Sequence, residues 1–117
     1  MLFFLLSIGG GLLLVGIAKL LVHRARPENA LLHVSGYGFP SGHAALALVF
    51  LCTLIYIFCN RTQQTRATLL AAVLVLLIGL SRIYLNVHWL SDVIAGFALG
   101  GFWITLLILF SAKRTVS

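Results

Sequence analysis

The chain has 117 residues, 62% of them hydrophobic and 9% charged, with a formal net charge of +6. That length holds one domain at most, and the apolarity lies far outside the range of soluble domains. The basic residues are scattered between apolar runs and form no basic face, which argues against nucleic acid and for lipid head groups or an anionic substrate as partners.

Four apolar runs stand out: Met1 to Val22, His43 to Asn60, Ala67 to Ser81 and Asp92 to Ala112. Each approaches or reaches the ~20 residues a helix needs to cross a bilayer core of about 30 Å. The expected fold is all-α, a single domain over residues 1–117 built as an integral membrane bundle of about four transmembrane helices. The first run lacks a basic n-region, is too long for a signal peptide and carries Lys19 near its far end, so it reads as a membrane helix. Its Gly9-Gly10-Gly11 permits either a kink or close packing.

Pro27 biases Arg26 out of the helical region and sets a boundary there. Residues 27–39 mix the turn formers Asn29, Ser35, Gly36 and Gly38 with Leu31, Leu32, Tyr37 and Phe39. They read as a loop in the membrane interface. Ser41 is the expected N-cap of the second helix. Residues 60–66 contain no apolar side chain and read as a polar hairpin loop. The third helix is then expected over residues 67–84. Ser91 is the expected cap of a fourth helix starting near Asp92, with Gly96 and Gly100 as a close-packing pair. Cys52 and Cys59 lie ~10 Å apart along one helix, too far for a disulfide, and read as apolar fillers.

Four crossings put the loops at 23–40 and 83–91 on one side of the membrane, and with them three clusters of polar residues. These are Lys19 with Arg26, then Ser41-Gly42-His43, then Ser81-Arg82 with His88 and Asp92. Lysine and arginine at one membrane level, with few carboxylates to neutralise them, call for an external anion. Arginine forks match phosphate oxygens, and a helix N-terminus adds N–H donors and the positive dipole end. Asp92, four residues after His88, is placed to accept from one ring nitrogen and leave the other as a nucleophile. His43 is then the acid that protonates the leaving oxygen and the base that activates water. The expected chemistry is a two-step phosphoryl transfer through a phosphohistidine, with a bell-shaped pH profile. Lys19, Arg26, Ser41, Gly42 and Arg82 hold the phosphate, with no metal and no cofactor.

These three parts resemble the three-part signature of the type 2 phosphatidic acid phosphatase (PAP2) superfamily. Lys19-x6-Arg26-Pro27, Pro40-Ser41-Gly42-His43 and Ser81-Arg82-x5-His88-x3-Asp92 occur in order and at the family's spacing, over nearly two thirds of the chain. The resemblance implies a metal-independent membrane lipid phosphatase with the same residues in the same roles, and gives Ser81 a supporting one. Phosphatidic acid, phosphatidylglycerol phosphate and undecaprenyl or other isoprenoid diphosphates are the implied substrates. Membrane members commonly have about six helices, with the first motif after the third. Here it follows the first, so a homo-oligomer or further helices from a longer parent protein would cover the exposed faces. The alternatives are a non-catalytic protein that binds lipid phosphate and a fragment of a larger membrane protein. A haloperoxidase, which shares this type of site, does not fit a chain built of membrane helices.

Outside the signature, His23 and Arg24 read as membrane-edge residues, Arg24 facing lipid phosphates. His33 has no assigned role. Trp89 and Trp103 read as interface anchors, with Trp89 alternatively walling the site. Basic residues tie across the two sides. If the site cations are engaged, the remaining charges put the site outside, facing the periplasm of a bacterial inner membrane.

Overall fold

The computed structural model describes residues 1–32 and 36–116, so His33 and Ser35 lie outside the described residues. Four helices follow in order: α1 (Leu2–Val22), α2 (Gly42–Phe58), α3 (Arg61–Tyr84) and α4 (Leu90–Val116). No strand occurs among the described residues. α1, α3 and α4 are long and apolar enough to cross a membrane. α2, with 17 residues, is ~25 Å long and shorter than the three full spans around it. The expected all-α bundle of about four helices is present, as three long helices and one short one.

α2 is the centre of the bundle and packs on α1, α3 and α4; α1 and α3 do not meet. The packing uses small side chains. The buried apolar residues are chiefly valine and alanine, among them Val15, Ala44, Ala45, Val49, Ala71, Val75 and Val93. Large residues such as Leu13, Leu21, Phe58 and Leu69 face outward. This inversion suits a lipid surround, where apolar burial does not drive helices together and close backbone approach does. Gly96 and Gly100 make the tightest approach to a neighbouring backbone. A Cβ added to Gly96 would meet the Ser41 carbonyl at 2.6 Å, and one at Gly100 the Ala45 carbonyl at 2.6 Å. The expected close-packing pair therefore seats α4 against the first turns of α2.

Gly9, Gly10 and Gly11 do not interrupt α1, which runs unbroken from Leu2 to Val22. Gly10 lies under the indole of Trp103, whose ring leaves no room for an added Cβ. The Trp103 indole N–H donates to the carbonyls of Leu6 at 3.3 Å and Ser7 at 3.0 Å. Trp103 is thus an α1–α4 contact, not the interface anchor its type suggests.

Two boundaries differ from the sequence expectation. Residues 61–66 are the first turns of α3, not a loop. Asn60 Oδ1 accepts from the Gln63 N–H at 3.0 Å, and Gln63 Oε1 accepts from the Asn60 N–H at 3.1 Å. This reciprocal capping box starts a helix in a polar stretch that hydropathy alone ends. At α4 the cap is not Ser91. The helix begins at Leu90, and Asp92 Oδ2 accepts the Trp89 N–H at 2.8 Å. Ser41 caps α2 as expected, with its Oγ accepting from the Ala44 N–H at 3.3 Å.

Candidate active site

The loop between α1 and α2 is tied to the α3–α4 turn by backbone hydrogen bonds. The Leu31 N–H donates to the Leu85 carbonyl at 2.8 Å, and the Ser41 N–H to the Asp92 carbonyl at 2.9 Å. Within the loop the Gly38 N–H donates to the Arg24 carbonyl at 2.7 Å. α1 ends on His23, which adopts left-handed φ 53 and stacks on Tyr37 at 4.5 Å between ring centroids. α3 ends in a turn through Asn86, φ 55, a residue that tolerates this region. Val87 beyond it is fully buried, and it brings His88 inward. All three polar clusters meet at this end of the bundle.

His88 is buried, and its Nδ1–H donates to the Gly38 carbonyl at 2.7 Å. The Asp92 Oδ2 lies at 3.5 Å from the same nitrogen. The sequence reading gave tautomer control to Asp92 alone. The shorter contact belongs to Gly38, and Asp92 acts alongside it. Nε2 is left as the free lone pair, and here it accepts from Arg26 Nη1 at 3.1 Å. Burial and the adjacent Arg26 charge push the His88 pKa down to about 4. The imidazole is therefore neutral at pH 7, as a nucleophile must be.

Arg26 reaches that nitrogen, Lys19 acts on the ring by its charge, and Arg82 acts on Arg26. Arg26 is held by the carbonyls of Gly36 at 3.2 Å and Val87 at 3.0 Å. Burial and the Arg82 charge lower its pKa from the usual value. Lys19 Nζ donates to the carbonyls of Tyr37 at 2.9 Å and Pro40 at 2.8 Å. This fastens the Pro40 loop to α1. Arg82, in the last turn of α3, has a buried Nε with no hydrogen-bond partner among the described residues. A buried N–H without an acceptor costs roughly 1–3 kcal/mol, and an anion would supply the acceptor. His43 stands exposed on the first turn of α2, within electrostatic reach of Arg82, Arg26 and Lys19. The first-turn N–H groups of Gly42 and His43 have no intrahelical acceptors.

Two signature residues are engaged elsewhere. Ser41 is fully buried, with its N–H on Asp92 and its Oγ on Ala44, so only its hydroxyl hydrogen remains to be given. Ser81 Oγ donates to the Ile78 carbonyl at 2.6 Å on the exposed side of α3. Arg24 departs furthest from expectation. It does not face lipid but pairs with the buried Asp92, Nη1 to Oδ1 at 3.0 Å. Its position two residues before Arg26 gave no signal, because the contact spans 68 residues of sequence. Trp89 is half exposed, and its indole N–H donates to the Ala25 carbonyl at 3.2 Å. Among the described residues no three His, Cys, Asp or Glu side chains come together as a metal site.

The site is a buried imidazole beside a cluster of cations, and the comparisons give it a family. The PAP2 superfamily model matches residues 1–116. The chain belongs to the PAP2 superfamily. It is 35% identical over 115 residues to phosphatidylglycerophosphatase B of Bacillus subtilis (strain 168), covering 93% of this chain and 54% of that protein. It is 38% identical over 71 residues to an undecaprenyl-diphosphatase of Sulfolobus acidocaldarius, covering 61% of this chain and 32% of that protein. A lipid A 1-phosphatase of Rhizobium etli is 32% identical over 110 residues, covering 81% and 43%. The crystal structure of a transmembrane PAP2 type phosphatidylglycerolphosphate phosphatase from Bacillus subtilis superposes with a TM-score of 0.87 at 35% identity, over 96% of this chain and 59% of that one. The chain spans about half the length of the phosphatidylglycerophosphatase that it matches. It is an integral membrane protein by its helices and by this neighbour.

Proposed function

We propose that this chain is the catalytic core of a lipid phosphate phosphatase that works through a phosphohistidine on His88. The observation that carries the reading is the state of His88: Nδ1–H fixed on the Gly38 carbonyl, Nε2 unprotonated and facing Arg26. In the first step the Nε2 lone pair attacks phosphorus, the P–O bond to the leaving group breaks, and His43 gives that oxygen a proton. In the second step His43 takes a proton from water, the water oxygen attacks phosphorus, and the P–N bond breaks to return neutral His88. Arg26, Lys19, Arg82 and the N–H groups heading α2 stabilise the equatorial oxygens. Arg26 must turn its Nη1 from Nε2 to a phosphate oxygen as the substrate enters. The Ser41 hydroxyl is left with its cap and one hydrogen for the anion. The cations stand where a metal would otherwise act, so the reaction is proposed to run without one.

The three named relatives all act on phosphate or diphosphate groups of lipids, which supports a lipid substrate here. An apolar groove of about 350 Å³ between α1 and α4, lined by Ala18, Phe39, Pro40, Ala95, Ala98 and Phe102, opens beside the site loop. It suits the chain of a lipid whose phosphate lies at the site. Phosphatidylglycerol phosphate leads the proposed substrates because that relative matches along most of the chain. Phosphatidic acid and undecaprenyl diphosphate follow. The site is proposed to face the outside of a bacterial inner membrane.

The test is phosphate release by detergent-purified protein in EDTA, on a panel of these lipids, beside His88→Ala. Release by wild type that His88→Ala abolishes is the expected result. Equal release by the two proteins removes His88 as the nucleophile. Wild-type protein that binds lipid phosphate and releases none establishes the non-catalytic alternative.

A further inference from the structure

Asp92 is fully buried, and three groups share its two oxygens. Oδ1 receives Arg24 Nη1 at 3.0 Å. Oδ2 receives the Trp89 N–H at 2.8 Å and stands 3.5 Å from His88 Nδ1. Arg24 Nη1 also donates to Ser91 Oγ, and the guanidinium carbon lies 4.9 Å from the centre of the Phe39 ring. The backbone of Arg24 is engaged as well, since its carbonyl accepts the Gly38 N–H at 2.7 Å. Both acceptors beside His88 Nδ1, the Gly38 carbonyl and the Asp92 carboxylate, therefore rest on one residue. Gly38 sits where a Cβ would lie 3.3 Å from both Arg26 Cγ and Asp92 Oδ2, so this packing leaves little slack.

We propose that Arg24 is a positioning residue of this site, a clamp that keeps the Asp92 carboxylate seated against the Gly38 loop so that His88 presents Nε2 to phosphorus. The inference rests on the phosphatase reading and adds to it a residue outside the three-part signature. A buried carboxylate that loses its counter-charge is costly, whereas an exposed ion pair is worth little. Arg24 belongs to the first case because its partner has no contact with solvent, although its own side chain is 38% exposed. It differs from Arg26, which reaches the nucleophilic nitrogen itself. His88 is faced by the Gly38 carbonyl and Asp92 at Nδ1, by Arg26 at Nε2, and by the charge of Lys19 on α1. Removing the Arg24 charge leaves the negative field of Asp92 less compensated, so His88 binds a proton more readily.

The experiment compares wild type, Arg24→Gln and Arg24→Lys, purified in detergent, with dioctanoyl phosphatidic acid as the substrate. Arg24→Gln is expected to lower kcat ~10–100-fold, the scale of a displaced catalytic group, with KM changed less than about threefold. The acid limb of its kcat/KM profile moves to higher pH. Arg24→Lys returns the acid limb toward wild type and recovers part of kcat. Titration of ¹⁵N-histidine-labelled protein by NMR reads the same His88 shift without turnover. If wild type releases no phosphate, the phosphatase reading fails, and the NMR titration still decides the clamp. Three results overturn it: wild-type kinetics in Arg24→Gln, a raised KM at unchanged kcat, or a loss of kcat with the His88 titration unmoved. The second would make Arg24 a phosphate ligand, and the third a merely structural residue.

Discussion

The protonation of His88 fixes when the site can work. Its pKa is lowered to about 4 by burial and by Arg26, against ~6.5 for an unperturbed histidine. In the proposed mechanism the neutral form is the nucleophile, so activity is expected above about pH 4 and is lost as pH falls through it. The expected kcat/KM profile, corrected for ionisation of the substrate phosphate, stays level below pH 6 and drops near 4. An acid limb at ~6.5 would mean that Arg26 and burial do not act on this ring. The alkaline limb belongs to His43, which must hold a proton for the leaving group, so the profile is bell-shaped. Folding stability follows the same sign, because the unfolded histidine takes its proton first. Stability falls as pH drops from ~6.5 to about 4. A second prediction concerns Gly38. In Gly38→Ala the new methyl lies 3.3 Å from Arg26 Cγ and Asp92 Oδ2. The loop must shift by a few tenths of an ångström, and His88 with it. A fall in kcat of about tenfold is expected, with the protein still folded by circular dichroism. The meeting of His88 with Asp92, Arg26 and Lys19 was legible in the sequence because four crossings put their loops on one side. Arg24 was not, because an arginine near a membrane edge reads as a snorkelling side chain until the fold brings Asp92 to it.

At the scale of helices, the site depends on how closely α4 approaches α2. The Ser41 carbonyl and the Gly96 Cα share a space with no room for a methyl, and the same contact registers the Ser41 N–H on the Asp92 carbonyl. Gly96→Val or Gly100→Val must therefore part the helices. Overpacking of this kind costs about 1–3 kcal/mol. A lowered melting temperature in detergent and loss of phosphate release are expected together. Gly16→Ala is the control, since nothing lies within 4 Å of its added Cβ, and its melting temperature should match wild type. Hydropathy and the glycine spacing made α4 and its packing face readable in advance. The start of α3 was not, because Arg61, Thr62, Gln63 and Gln64 are polar. The helix there rests on the Asn60–Gln63 capping box rather than on an apolar face. Losing one such cap costs ~1 kcal/mol, so Asn60→Ala is expected to fray the first turn of α3 and leave kcat unchanged. Hydrogen exchange of the amides at 61–64 reports that fraying.

For the whole molecule, function follows from which loops share a membrane face. Lys19, Arg26, His43, Arg82 and His88 come from separate helices and loops, and they meet because α1 and α3 run toward the same end as the starts of α2 and α4. Asn29 lies at that end and Thr65 in the first turns of α3 at the other, both exposed. This sets up a test of sidedness in a background where Cys52 and Cys59, both free thiols, are replaced by serine. Asn29→Cys is expected to react with a membrane-impermeant maleimide in intact cells, and Thr65→Cys only after the membrane is broken. Labelling of both from outside would contradict a bilayer between the two ends. The reverse pattern would place the phosphate site in the cytoplasm, and with it the leaflet from which a lipid enters the groove beside Pro40. The charge count alone could not decide this, because the cations that would have oriented the chain are the ones gathered at the site. Lys19 and Arg26 are held on loop carbonyls beside His88, and Arg24 is neutralised by Asp92. Discounting them leaves Arg61, Arg66, Lys113 and Arg114 as the excess that the positive-inside rule keeps in the cytoplasm. On the proposed outward orientation, the ion pairs that build the site are also what take its cations out of that count.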